Sequence, residues 1–175
     1  YLFDENGKLK NQITKGAFHC ESIVNIDEKN RVLYFTANGK ESTEDPYYLH
    51  LYSINFDGSN MKLLNAGNFD HSSSMNDNST YFIDNYSKVN TVPKSTLYNA
   101  KGLKVMDLET TDLSLLMNAG YKFPEPFTVK ADDGITDLYG VMYKPFDFDP
   151  NKKYPIIEYV YPGPQTEAVN KSFNK

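Results

Sequence analysis

Arg31-Val-Leu-Tyr-Phe-Thr-Ala37 and Thr80-Tyr-Phe-Ile-Asp84 are the two stretches on which the fold turns. Each is a short β-branched and aromatic run bordered by turn residues, Asn38-Gly39 after the first and Asn76-Asp77-Asn78 before the second. Tyr34-Phe35 and Tyr81-Phe82 lie about 47 residues apart, a spacing in the range of blade-length repeats. Strand candidates surround both in the same order. Glu21–Asp27 precedes the first, and Tyr47–Ile54 and Met61–Leu64 follow it. His71–Met75 precedes the second, and Ser95–Tyr98 and Leu103–Asp107 follow it. Four short strands per unit, joined by turns, are the pattern of a β-propeller blade. Ahead of both units, Tyr1-Leu2-Phe3, the turn Asp4-Glu5-Asn6-Gly7 and Lys8–Thr14 read as one hairpin.

The expected fold is therefore mainly β: a partial propeller of about two and a half four-stranded antiparallel blades over residues 1–110. Two and a half blades cannot close a ring, so a complete propeller needs more chain upstream. A plain antiparallel sandwich fits the same pattern. Residues 111–126 read as a linker, with a short helix over Thr111–Met117 capped by Thr110 or Thr111 and stopped at Asn118-Ala-Gly120. Composition then shifts, and residues 127–175 form a separate region. Phe127–Lys130, the turn Asp132-Asp133-Gly134 and Leu138–Pro145 predict a hairpin. Lys153-Tyr-Pro-Ile-Ile-Glu-Tyr-Val-Tyr161 predicts a buried strand, ended by the rigid corner Pro162-Gly163-Pro164.

Bulk composition excludes several classes of function. With a formal net charge of −5, the chain lacks the basic footprint that nucleic acid requires. No run of about 18 apolar residues is present, so no membrane span is expected. The single cysteine, Cys20, allows no internal disulfide and has no metal-ligand partner at nearby spacing. No metal or cofactor is called for. A start at Tyr1-Leu2-Phe3, with no initiating Met, is expected of a processed or truncated product.

Candidate chemistry is sparse. Asp70-His71-Ser72-Ser73-Ser74 offers the residue types of a catalytic triad. Neighbours on a strand point to opposite faces, however, so His71 and Ser72 are expected to diverge. His19 and His50 lack acidic or thiol partners at metal spacing, and Asp27-Glu28 and Asp132-Asp133 sit where turns favour Asp. No Gly-x-Ser-x-Gly elbow, P-loop or His-Glu-x-x-His motif occurs. Tyr161 is the one candidate catalytic residue. Pro162 and Pro164 stiffen the chain after it, and a phenol is a neutral donor suited to a developing oxyanion. A well-aimed donor of this kind is worth roughly 3–4 kcal/mol of barrier. A stiff turn with no chemistry is the plainer reading of the same residues.

Taken together, Ile13-Thr14-Lys15-Gly16, Asp57-Gly58, Phe127–Pro145 and Lys152-Lys153-Tyr154-Pro155 through Tyr161-Pro-Gly-Pro164 resemble the prolyl oligopeptidase family of serine peptidases. The likeness is closer to its dipeptidyl peptidase IV-like branch. It implies a propeller followed by the first strands of an α/β-hydrolase domain, with peptides as substrates and dipeptides released from their N-termini, often after Pro or Ala. It implies that Tyr161 donates to the oxyanion. The nucleophilic Ser, the Asp and the His, and the Glu pair that binds the substrate amino terminus, match no position in this chain. The resemblance also implies periplasmic or cell-envelope location, and it admits a homodimeric parent. Two departures stand out. A Trp is usual after Thr-Lys-Gly, whereas Phe18 stands nearby here, and Pro162 stands where a small residue is commoner. A non-catalytic propeller or sandwich that binds a protein or peptide is the competing reading.

Overall fold

The computed structural model describes residues 1–161 and 168–174. The chain divides into two compact units, Tyr1–Tyr86 with Pro93–Thr110, and Ser87–Val92 with Thr111–Lys175.

In the first unit, β1 (Leu2–Phe3) and β2 (Leu9–Asn11) form a two-stranded hairpin. Strands β3 (His19–Asp27), β4 (Val32–Asn38), β5 (His50–Asn55) and β6 (Lys62–Leu63) form one four-stranded antiparallel sheet in sequence order. Strands β7 (Asp70–Met75), β8 (Tyr81–Ser87), β9 (Lys94–Asn99) and β10 (Lys104–Thr110) form a second sheet, again in sequence order. A half blade followed by two whole ones is the architecture expected from the repeat. The strands of the described residues form no closed barrel.

Burial shows how the sheets are layered. Because successive strand residues face opposite ways, a sheet covered on one face alternates and a sheet covered on both does not. β8 alternates, with Phe82 and Asp84 buried and Tyr81 and Ile83 exposed. In β4 and β5, by contrast, Tyr34–Ala37 and His50–Ile54 are continuously buried. One core, built on Tyr34, Leu51, Leu64 and Phe82, joins the two blades. The other, built on Phe35, Ala37, Tyr52 and Ile54, lies on the opposite face of the first blade, and Ile13 and Phe18 pack against it. Phe18 thus supplies aromatic packing in this part of the chain. The outer strands carry features that discourage further pairing: β6 has only two residues, and β10 is broken by two register shifts and carries Lys104, Asp107 and Glu109.

In the second unit, β11 (Glu125–Lys130) pairs with β12 (Asp137–Met142) in the expected hairpin. Asp133 fixes its turn by accepting the backbone N–H groups of Ile135 and Thr136, each at 2.8 Å. The helix is shorter than expected. α1 covers only Ser114–Asn118, and neither Thr110 nor Thr111 caps it. Asp112 Oδ1 accepts the Ser114 N–H at 2.8 Å instead, from the position directly after Thr111. At the other end Gly120, with φ of 91°, turns the chain as anticipated. Tyr121, Phe123, Phe146 and Phe173 meet edge to face, with ring centroids 5.7–6.3 Å apart.

Candidate functional site

The segment that carries Tyr161 is anchored at its root. Phe148 and Tyr154 stack with centroids 5.1 Å apart, and the Tyr154 hydroxyl accepts the Asp149 N–H at 2.9 Å. Lys144 lies 4.9 Å from the Phe148 ring centroid and pairs with Glu125 at 2.6 Å, tying this root to the hairpin. From Pro155 onward the chain does not form the buried strand that its composition predicts. It pairs with no strand among the described residues, and Ile156 and Ile157 are 92% and 95% exposed. The physical reason is simple: β-branched and aromatic residues supply strand propensity, but a strand exists only when a neighbour takes its backbone hydrogen bonds. Tyr161 is 51% exposed. The corner Pro162-Gly163-Pro164 lies outside the described residues.

A second constellation sits in the first unit, and it is buried. His71 and Ser72 diverge as strand geometry requires, His71 inward and Ser72 outward. The inward partner of His71 is Asp84, on the adjacent strand, with Nδ1 to Oδ2 at 2.7 Å. The other ring nitrogen, Nε2, faces the Gly67 carbonyl at 3.1 Å, so both ends of the imidazole are held. Asp84 Oδ1 accepts the Ser73 hydroxyl at 2.7 Å and the Asn65 amide at 3.0 Å. Asn65 Oδ1 in turn accepts the Leu51 N–H at 2.9 Å, linking the cluster to the first blade. His50 lies against His71, with ring centroids 4.8 Å apart, and its Nε2 meets Glu44 Oε2 at 2.8 Å. His50 Nδ1 is buried without a hydrogen-bond partner among the described residues.

The arrangement is structural rather than catalytic. Ser73 bonds to the carboxylate and not to the imidazole, so no base is positioned to activate its hydroxyl. Both His71 and Asp84 are closed to solvent. Among the described residues, no three His, Cys, Asp or Glu side chains are grouped to hold a metal ion. The same end of the first blade also fixes its long loop: the Tyr52 hydroxyl donates to Glu41 at 2.9 Å, and burial raises the ionisation of that phenol far above its ordinary range. His19 is a surface residue paired with Glu21 at 3.1 Å. Sequence reasoning missed Asp84. Its signal was present, since period-two alternation from Phe82 puts an acid on the core face, where it requires a partner.

Asp70 gives a test of this buried region. Burial pushes its carboxyl above the ordinary range, although Oδ1 accepts the Leu49 N–H at 3.1 Å and His71 and His50 act in the opposite sense. A carboxyl raised in the folded state contributes fully below its unfolded value and loses that contribution as pH rises through the folded one. Asp70→Asn keeps an acceptor for Leu49 and removes the ionisation. The variant should melt above the parent near about pH 7, and the gap should close towards about pH 4. Melting curves at both values decide it. A less stable variant at neutral pH would mean that attraction to the two histidines outweighs burial.

Two antiparallel four-stranded sheets, joined in sequence order and packed through one core, define the class: consecutive blades of a β-propeller. Residues 1–93 match the family described as "Dipeptidyl peptidase IV (DPP IV) N-terminal region", and the chain belongs to that family. It is 33% identical over 165 residues to human dipeptidyl peptidase 8, covering 87% of this chain and 17% of that protein. It is 30% identical over 180 residues to dipeptidyl peptidase 4 of Trichophyton equinum, covering 99% of this chain and 22% of that protein. The crystal structure of Porphyromonas gingivalis dipeptidyl peptidase 4 matches the fold with a TM-score of 0.78 at 24% identity, over all of this chain and 24% of that one. The chain thus spans less than a quarter of the length of these relatives. No helix among the described residues is long and apolar enough to cross a membrane.

Proposed function

We propose that this chain is part of a serine exopeptidase of the dipeptidyl peptidase IV type, which releases N-terminal dipeptides and prefers Pro or Ala as the second residue. The observation that carries the reading is the family match over residues 1–93, followed in the same chain by Lys152-Lys153-Tyr154-Pro155 and Tyr161-Pro-Gly-Pro164. In this reading a serine hydroxyl, supplied by another part of the protein and giving its proton to a base there, attacks the carbonyl carbon of the second residue. The carbonyl oxygen takes up negative charge, and the Tyr161 hydroxyl donates a hydrogen bond to it. Collapse expels the amine of the shortened peptide, which takes up the proton that the serine gave to a base, and leaves a dipeptidyl ester on the serine, which water then hydrolyses. A half-exposed phenol at the end of an anchored segment supports that role for Tyr161. Peptides are the corresponding substrates, and the periplasm or cell envelope the corresponding location.

The test is covalent labelling. The full-length protein should react with a fluorophosphonate probe and release dipeptides from an Ala-Pro or Gly-Pro chromogenic substrate. A protein that neither labels nor cleaves would be a propeller used for binding alone.

A further inference from the structure

Three turns in the first unit are built alike. Each joins the third and fourth strands of a blade, or β1 to β2 in the half blade. In Asn55–Ser59 the Asn55 N–H donates to Ser59 O at 3.0 Å and the Gly58 N–H donates to Asn55 O at 2.9 Å. In Asn99–Leu103 the Asn99 N–H donates to Leu103 O at 3.0 Å and the Gly102 N–H donates to Asn99 O at 2.9 Å. In Asp4–Lys8 the Asp4 N–H donates to Lys8 O at 2.9 Å and the Gly7 N–H donates to Asp4 O at 3.0 Å. The three glycines share one left-handed conformation, with φ of 77° at Gly7, 85° at Gly58 and 80° at Gly102.

What they face differs. A Cβ on Gly58 would lie 2.8 Å from the Ile13 carbonyl oxygen and 3.0 Å from that of Gln12. A Cβ on Gly102 would lie 2.8 Å from the Leu64 carbonyl oxygen and 3.0 Å from Leu64 Cα. Ile13 comes just after β2 and Leu64 just after β6, so each glycine seats the backbone that leaves the outer strand of the preceding blade. Main chain cannot retreat as a flexible side chain can, so the missing Cβ is a steric requirement at both seats. A Cβ on Gly7 would meet nothing within 4 Å.

We propose that the Gly7 turn is a third seat of the same kind. Its occupant is the extended backbone leaving the outer strand of a further blade, which stands to Gly7 as Ile13 stands to Gly58 and Leu64 to Gly102. Two filled seats in one chain specify the occupant: a carbonyl-bearing main-chain segment, not a side chain. The inference rests on reading the chain as part of a larger protein, since it spans 17–24% of the relatives compared.

Asparagine variants test it, because Asn tolerates positive φ better than other side chains and the residual backbone cost is common to all three sites. In the 175-residue chain, Gly58→Asn and Gly102→Asn should each lower the melting temperature by about 5–10 °C, while Gly7→Asn, which carries the backbone cost alone, lowers it by less than about 3 °C. In the full-length protein, Gly7→Asn should produce a loss as large as the other two, or fail to fold. Equal destabilisation by Gly7→Asn in the short chain would overturn the proposal. So would a silent Gly7→Asn in the full-length protein, or a Gly7→Asn effect limited to self-association of the short chain in sedimentation. Dipeptide release by the unsubstituted full-length protein, measured alongside, separates the two readings: an inactive parent that Gly7→Asn destabilises keeps the seat and loses the peptidase, and an active parent indifferent to Gly7→Asn does the reverse.

Discussion

Asp84→Ala should remove roughly 3–5 kcal/mol of stability, because it deprives three buried donors of their acceptor at roughly 1–3 kcal/mol each. Asp84 is fully buried, and its two oxygens accept from His71, Ser73 and Asn65 at 2.7, 2.7 and 3.0 Å. Alanine leaves all three donors without that acceptor, in a place where solvent cannot replace it. The damage extends beyond one blade, because Asn65 also holds the Leu51 N–H in the blade before it. With a total of about 5–15 kcal/mol for an ordinary domain, a large fraction of the stability is at stake. The melting temperature should fall by about 6–20 °C. Asp84→Asn separates charge from connectivity: its Oδ1 still accepts from Ser73 and Asn65, so it should lose less than alanine does. Urea unfolding of the two variants measures both numbers. A cost below about 1 kcal/mol for alanine would show that the cluster is dispensable.

Why Asp84 escaped the sequence while the blades did not is a matter of range. Strand order follows from patterns that are each read locally: the turns around Gly58 and Gly102 and the alternation along β8 are set within a few residues, and the Tyr-Phe pair simply recurs after about 47. The hairpin β11–β12 was legible for the same reason, through Asp132-Asp133-Gly134. The polar cluster depends on register between strands, since His71 reaches Asp84 across 13 residues and Asn65 reaches it across 19. The turn between β7 and β8 fixes the first of these pairings, but no local rule brings Asn65 to the cluster. Lys153–Tyr161 failed in the opposite way, for its propensity was strong and its partner strand was not among the described residues. The helix cap failed on a smaller scale, because Thr110 is the last residue of β10, paired with Lys94, and the Asp112 carboxylate takes the Ser114 N–H.

On the proposed peptidase reading, Tyr161→Phe should lower kcat of the full-length protein by about 10²–10³, the cost of losing one oxyanion donor. The substitution deletes a single hydroxyl and keeps the ring, so the packing of a half-exposed side chain is nearly unchanged. The lost interaction is stronger in the transition state than with the bound peptide, because charge on the carbonyl oxygen develops only as the tetrahedral centre forms. KM should therefore move little, and kcat and kcat/KM should fall together. Melting temperature should stay within about 1 °C of the parent, which distinguishes a missing donor from a damaged fold. Fluorophosphonate should still label the variant, more slowly, because the nucleophile is untouched while the oxyanion of the attacked phosphorus loses a donor. Full turnover by Tyr161→Phe would assign Tyr161 to the stiffness of the corner alone. A rise in KM at constant kcat would assign it to substrate binding.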